Sequence, residues 1–182
     1  MYAKVENNVI VKANSSLASF NRAAPSWSAE QLAANGIYEV VYDNTNLKDD
    51  RFYINGAESF TFANDTVTAS YTAAVGKALD DVNATDENDV ELDPVVVISG
   101  VKSIEKNQIK AQAASLLQST DWYVVRNAES STAVPANVST YRTAVRTKSN
   151  EMETAIDGAA SIEAVEALFT YTTGADDVVS RP

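Results

Sequence analysis

The chain has 182 residues, 45% of them apolar and 21% charged, and its 25 acidic side chains against 14 basic ones give a net charge of −11. That is the size of one domain or two small ones, with enough apolar residues to bury a core. The absence of Cys and His excludes disulfides, thiolate nucleophiles, Cys-built metal sites and every imidazole-based acid, base or ligand, and it leaves the redox compartment open. Composition therefore points to an acidic, non-enzymatic protein without a cofactor.

The opening MYAKVENNVIVK alternates polar and apolar residues and lacks the unbroken apolar core of a signal peptide. The longest purely aliphatic stretch, Val95 to Ile98, is far short of the roughly 20 residues that span a bilayer. No Lys/Arg stripe suits a phosphate backbone. Neither a membrane nor a nucleic acid is expected as a partner.

In chain order, Val5, Val9 and Val11 flank Asn7-Asn8, and Asn tolerates the left-handed region, so the first element expected is a small hairpin. Ser15-Ser16 caps a short helical turn through Phe20, ended by Pro25. Ser28 with Gln31 at the third helical position, and Asn35-Gly36 as a stop, predicts a second short helix. Strands follow at 37–42, 51–54, 59–62 and 66–71, with turns at Asp43-Asn44, Asn55-Gly56 and Asn64-Asp65.

The charge is unevenly spread. Residues 1–79 and 94–182 each sum to −2, while Asp80 to Asp93 carries seven acids and no base. So acidic a stretch reads as a solvated linker or long loop. Beyond it the period changes. Val101, Ile104, Ile109, Ala113, Leu116 and Leu117 share a helix face with Lys102, Glu105, Lys106 and Lys110 off it. Val138, Tyr141, Val145, Met152 and Ile156 form a second such series after Pro135, interrupted by Lys148, which favours hairpin packing over a long coiled coil. Ser161 starts a third short helix. The expected architecture is α+β: a small strand-rich module over 1–79, an acidic linker over 80–98, a helical hairpin module over 99–171 and a polar tail over 172–182.

Catalytic and metal constellations are weak. Asp81, Asn83 and Thr85 sit like the first ligands of a Ca²⁺ loop, but Asp86 replaces the required Gly and Leu92 the closing Glu. Asp80-Asp81 and Asp176-Asp177 lie in polar sequence that would not separate two carboxylate pKa values. No Gly-rich phosphate cradle occurs. The most distinctive patch is Leu116 to Ser130, LLQSTDWYVVRNAES. It reads as a helix exit followed by a short extended segment, with Trp122 and Val124 on one side and Arg126 pairing with Glu129. Trp122 is either an intramolecular anchor or, with Tyr141 and Val145, part of an apolar face that grips a partner.

Two blocks resemble the tail-fibre assembly, or tail-assembly chaperone, proteins of tailed bacteriophages. One is the opening MYAKVENNVIV with Ser16-Leu17, Phe20, Pro25-Ser26 and Glu30 to Val40; the other runs from Gln112 to Arg146 and holds Leu116-Leu117, Thr120-Asp121-Trp122, Arg126, Glu129, Val134-Pro135, Val138, Tyr141-Arg142 and Val145-Arg146. The resemblance implies a protein that helps a fibre or tail protein fold, trimerise or attach without covalent chemistry. Its partners would be tail-fibre or other tail proteins, and its location the host cytoplasm during assembly or the virion tail. Trp122, Tyr141, Arg142 and Arg146 are the residues expected at the contact. A stoichiometric virion component, an adaptor at a tail-fibre, collar or baseplate joint, is the alternative.

Overall fold

A computed structural model describes residues 1–170, 172–173 and 179–180. The fold is α+β. The chain divides into two compact units, Met1–Val75 and Gly76–Pro182.

The first unit is built on one five-stranded sheet of order β2-β1-β3-β6-β5. Its strands are β1 (Tyr2–Glu6), β2 (Val9–Ser15), β3 (Ile37–Asp43), β5 (Glu58–Ala63) and β6 (Thr66–Tyr71); the two-residue strand β4 is Tyr53–Ile54. Two tight turns set the register. Asn7 and Asn8 have φ of 51° and 63°, and Asn64 and Asp65 have 49° and 57°. Two consecutive left-handed residues make a type I′ turn, whose twist matches that of paired strands. These turns place Glu6 opposite Val9 and Ala63 opposite Thr66. Within this sheet β3 and β6 are parallel neighbours and the other pairs are antiparallel. Ala3, Val5, Val40, Val67 and Ala69 are buried on one face, with Ile10, Ala13, Tyr38, Phe60 and Phe62 packed against them. The Tyr38 and Phe62 rings lie 4.8 Å apart.

Between β2 and β3 the chain makes 3-10 turns at Leu17–Ser19 and Ala24–Ser26, then helix α1 (Ala29–Ala34). Pro25 lies inside the second turn rather than ending a helix, as suits a residue whose ring presets a helical φ. A full capping box joins Ser28 and Gln31. Gly36 has φ of 65°, and a Cβ there would run into the Val5 carbonyl oxygen, which itself lies beside the Val5 N–H bond to Gly36 O at 2.7 Å. The segment 51–54 is strand only at β4, because Phe52 N and Tyr53 N both bond to Asp49 O and curl the chain before it.

The second unit contains β7 (Val75–Gly76), which straddles the division, β8 (Val82–Asn83), β9 (Val97–Ile98), and helices α2 (Val101–Gln118), α3 (Asp121–Ser130), α4 (Ala136–Gly158) and α5 (Ile162–Ala167). The acidic stretch is folded rather than a plain solvated tether. Strands β8 and β9 pair, Thr85 bridges Glu91, and the Asp86 carboxylate accepts the N–H groups of Asn88 and Val90. At its base the first N–H groups of α2 are satisfied from outside the helix: Val101 N bonds to Ala78 O at 2.9 Å and Lys102 N to Leu79 O at 3.1 Å. Gly100, the N-cap, has no side chain to do this, and a Cβ on it would strike the Asp80 backbone. Asp81 instead takes the Gly100 N–H at 2.8 Å. A carboxylate beside a helix N-terminus is also favoured by the helix dipole.

Helices α2 and α4 run antiparallel, as their cross-pairs show: Lys106 to Asp157 at 2.6 Å, Lys110 to Glu153 at 3.4 Å. The buried row on α2 is Val101, Glu105 and Ile109. Glu105, expected off the apolar face, is only 1% exposed, whereas Ile104 is 41% exposed. The packed row thus keeps Val101 and Ile109 from the apolar series but takes Glu105 in place of Ile104. Ile156, Ala159, Ile162 and Val165 are the buried apolar residues of α4, the bend after it and α5. Pro135 and Ser161 are the N-caps of α4 and α5. Of the polar tail over 172–182, only β10 (Thr172–Thr173) and β11 (Val179–Ser180), which pair antiparallel, are among the described residues.

Gly36→Ala should destabilise the first unit by about 2 kcal/mol, since it adds a left-handed penalty to a backbone clash. The two Trp residues, Trp27 and Trp122, lie in different units. Urea unfolding followed by Trp27 fluorescence in a Trp122→Phe background reads that unit alone, and an unchanged midpoint would contradict this account of the turn.

Asp81 is held below the usual carboxylate range, first by the Gly100 N–H and then by the Ser103 hydroxyl. A depressed folded pKa gives stability that is present above about pH 3.9 and lost as pH falls through the folded value. Asp81→Asn should therefore lower the helix melting temperature near neutrality, where that contribution is fully present, and flatten its fall on acidification, both read at 222 nm; a neutral-pH melting temperature equal to wild type with an unchanged acid limb would contradict this.

Candidate partner-binding surface

The distinctive patch folds as a helical corner. Helix α2 ends at Gln118, Thr120 is the N-cap of α3, and Asp121 is its first residue. The segment after Thr120 is therefore helix, not the extended run expected. Ser131, with φ of 53° and its N–H on Asn127 O, closes α3 in the left-handed conformation.

Arg142 of α4 holds this corner. Its Nη1 donates to Leu117 O at 3.0 Å and Thr120 Oγ1 at 2.6 Å, and lies 2.9 Å from Asp121 Oδ1. The Thr120 hydroxyl in turn donates to the same Leu117 carbonyl. One cation thus meets a carbonyl at the end of α2, which also accepts the Thr120 N–H at 2.9 Å, and an acid in the first turn of α3. The positive guanidinium suits the C-terminal end of α2, and the negative Asp121 suits the N-terminal end of α3. Arg142 is 6% exposed. Asp121 is largely exposed, so the ion pair itself contributes modestly and the hydrogen bonds to Leu117 and Thr120 contribute more.

One residue earlier, Tyr141 donates its hydroxyl to Leu116 O at 3.1 Å. Its ring, still 41% exposed, lines an open groove of about 700 Å³ between α2 and α4. Ile109, Ala113 and Leu116 form one wall, Val145 and Met152 the other, and Leu168 closes part of the rim. Sequence periodicity identified most of these wall residues as helix faces. What it could not show is that the C-terminal half of α2 and the facing part of α4 leave their apolar sides open to solvent.

Trp122 stands outside that groove. It is 51% exposed and packs on Tyr123, with ring centroids 3.8 Å apart. The Arg126 guanidinium lies 4.9 Å from the Trp122 centroid and 5.3 Å from that of Tyr123. Arg126 therefore takes aromatic faces rather than the expected Glu129, a cation–π arrangement that delocalised Arg supports well. Its Nε is covered and has no hydrogen-bond partner among the described residues. Val124 and Val125 are exposed on the same helix, and α3 buries no residue fully. Arg146 is exposed on α4. Of the four residues expected at a contact, Arg142 is consumed internally, Tyr141 edges the groove, and Trp122 and Arg146 face solvent.

The Asp80-Asp81 pair is spent on separate contacts. Asp80 pairs with Lys102 at 3.2 Å, Asp81 is engaged at Gly100, and Asp176-Asp177 lie outside the described residues. Among the described residues no three acidic side chains gather as a metal site, and no helix is long and apolar enough to cross a membrane. No protein-family model, curated protein or solved structure matches this chain.

Arg142→Met should cost the second unit about 1–3 kcal/mol by removing the charged donor that the Leu117 carbonyl, the Thr120 hydroxyl and the Asp121 carboxylate share. Arg142→Lys should recover only part of this, since an ammonium is more strongly hydrated than a guanidinium and costs more to bury. Trp122→Ala should cost about 1 kcal/mol or less. Urea melts at 222 nm compare all three, and equal losses for Arg142→Met and Trp122→Ala would contradict the division of roles.

Proposed function

We propose that this chain is a non-enzymatic phage tail protein that binds tail-fibre or neighbouring tail proteins and assists their assembly or attachment. The observation that carries this reading is how the block resembling tail-fibre assembly proteins folds. Thr120-Asp121 and Tyr141-Arg142, separated by about twenty residues of sequence, meet at one end of the α2–α4 groove. Arg142 holds the helices in place there, and Tyr141 opens onto a largely apolar groove of about 700 Å³, the kind of surface on which a partner's apolar helix face docks. Trp122 adds an exposed aromatic beside the same corner, of the type that dominates contact energies. The absence of His and Cys is in keeping with a role in binding rather than covalent chemistry.

Assembly help and permanent incorporation use the same surface and differ in whether the partner is released. Mass spectrometry of purified virions separates them: a fixed copy number makes the chain a virion component, and absence makes it a transient chaperone.

The test of the binding role is co-expression with a tail-fibre protein of the same phage. Leu116→Asp and Val145→Asp put charges in the groove walls and should lower the yield of soluble fibre trimers by about tenfold or more, the effect of about 1.4 kcal/mol at a contact. Circular dichroism checks that both variants remain helical. Undiminished fibre yield with folded variants would remove the groove from the reading.

A further inference from the structure

The segment from Asp81 to Ser99 belongs to neither the groove nor the helical corner. Within it Val82, Val90, Leu92, Val95, Val96, Val97 and Ile98 are all between 37% and 59% exposed. Scattered surface valines need no explanation, but seven large aliphatic residues on one ordered excursion do. Its order comes from backbone pairing, not from burial. Besides the β8–β9 pair, Ala84 N bonds to Val96 O at 2.7 Å and Leu92 N to Ala84 O at 3.0 Å, while Asn83 Nδ2 donates to Glu91 Oε1 at 3.0 Å. A lone two-stranded ribbon is marginal in water, and its outer edges offer unpaired N–H and C=O groups to any further strand.

Charge decides what that strand is. Asp80 to Asp93 carries seven acids and no base. A second copy docking the same ribbon would set like charges opposite one another, which is destabilising across a strand pair. An incoming segment with Lys or Arg between aliphatic residues meets both features at once: its aliphatic side chains cover the valines and its cations lie against the carboxylates.

We propose that residues 81–99 form a preformed docking ribbon for an extended segment of a partner protein that alternates aliphatic residues with Lys or Arg, added as a further strand. Most of its own backbone pairing is already in place, so the partner supplies the larger share of the ordering cost on binding. The surface is separate from the α2–α4 groove, and the inference does not depend on the tail-assembly reading.

The test uses the full chain and a fluorescent peptide of about twelve residues alternating Lys and Val, with Lys-Gly and Glu-Val peptides as controls. Anisotropy should show binding of Lys-Val alone, weakened about tenfold or more between about 20 mM and about 300 mM NaCl because exposed charges are screened. The triple variant Glu87→Gln, Asp89→Asn, Asp93→Asn leaves the Asp86 and Glu91 hydrogen bonds untouched and should flatten the salt dependence. Val95→Thr with Val97→Thr keeps β-branching, and should weaken binding about tenfold with the salt dependence retained. Equal binding of Lys-Gly would reduce the ribbon to a charge effect, and equal binding of Glu-Val would remove charge selection; either overturns the proposal. So would failure of wild type to bind Lys-Val, wild-type binding by both variants, or concentration-dependent self-association abolished by the valine changes, which would make a second copy the occupant.

Discussion

The helical unit depends on one buried cation. Arg142 reaches the Leu117 carbonyl in the last turn of α2, the hydroxyl of Thr120 and the carboxylate of Asp121 from a single nitrogen. Helix ends leave unsatisfied backbone groups that must find partners when covered. Here the end of one helix, the start of the next and the side of a third share that solution. The angle between α2 and α3 is thereby set by hydrogen bonds, since α3 buries no side chain fully and has no apolar core to set it. At the opposite end of α2 a comparable economy applies: carbonyls of Ala78 and Leu79 and the carboxylate of Asp81 serve the N-terminus, across a Gly100 that only a hydrogen fits. Polar contacts fasten α2 at both termini, and its apolar side is left partly unspent.

That distribution bears on function. A helix pair whose buried row includes a glutamate, Glu105, and whose wall residues Leu116 and Tyr141 remain open to water has apolar surface in reserve. The cross-links between Lys106 and Asp157 and between Lys110 and Glu153 hold α2 and α4 in register without filling the groove. The Lys106 ammonium is held above its usual range, chiefly by its hydrogen bond to Asp157, so this link persists through the neutral range. Walls held in register around an open, largely apolar groove favour binding, because less ordering remains to be done when a partner arrives.

Local chemistry was legible in the sequence, and tertiary choices were not. Asn7-Asn8 and Asn64-Asp65 announce type I′ turns, Ser28 with Gln31 announces a capping box, and Gly36, Pro135 and Ser161 mark helix ends; each acts through its own backbone or a residue within one turn. Asp121–Ser130 misled because Trp122-Tyr123-Val124-Val125 has strand-favouring composition, although Thr120-Asp121 ahead of it is a helix start and Ser131 a stop. The burial of Glu105 in place of Ile104 depends on which side α4 occupies, and periodicity alone could not decide that by one position. In the acidic stretch, net charge suggested solvation, but backbone pairing with Val96, Val97 and Ile98, beyond the charged run, orders it. Among the contact residues, the sequence marked Tyr141 and Trp122 for their chemistry. That Arg142 is spent on the fold follows only from where α2 ends.

The central claim is that a partner seats in the α2–α4 groove while the Arg142 corner is already formed in the free chain. Hydrogen–deuterium exchange of the full chain, alone and with the tail-fibre protein proposed as its partner, tests it most directly. The account predicts that amides around 117–123 are slow to exchange in both states, and that new protection on binding falls on 109–116 and 141–152. New protection confined to the β-sheet unit, or a corner that becomes protected only when the fibre protein is present, would contradict it.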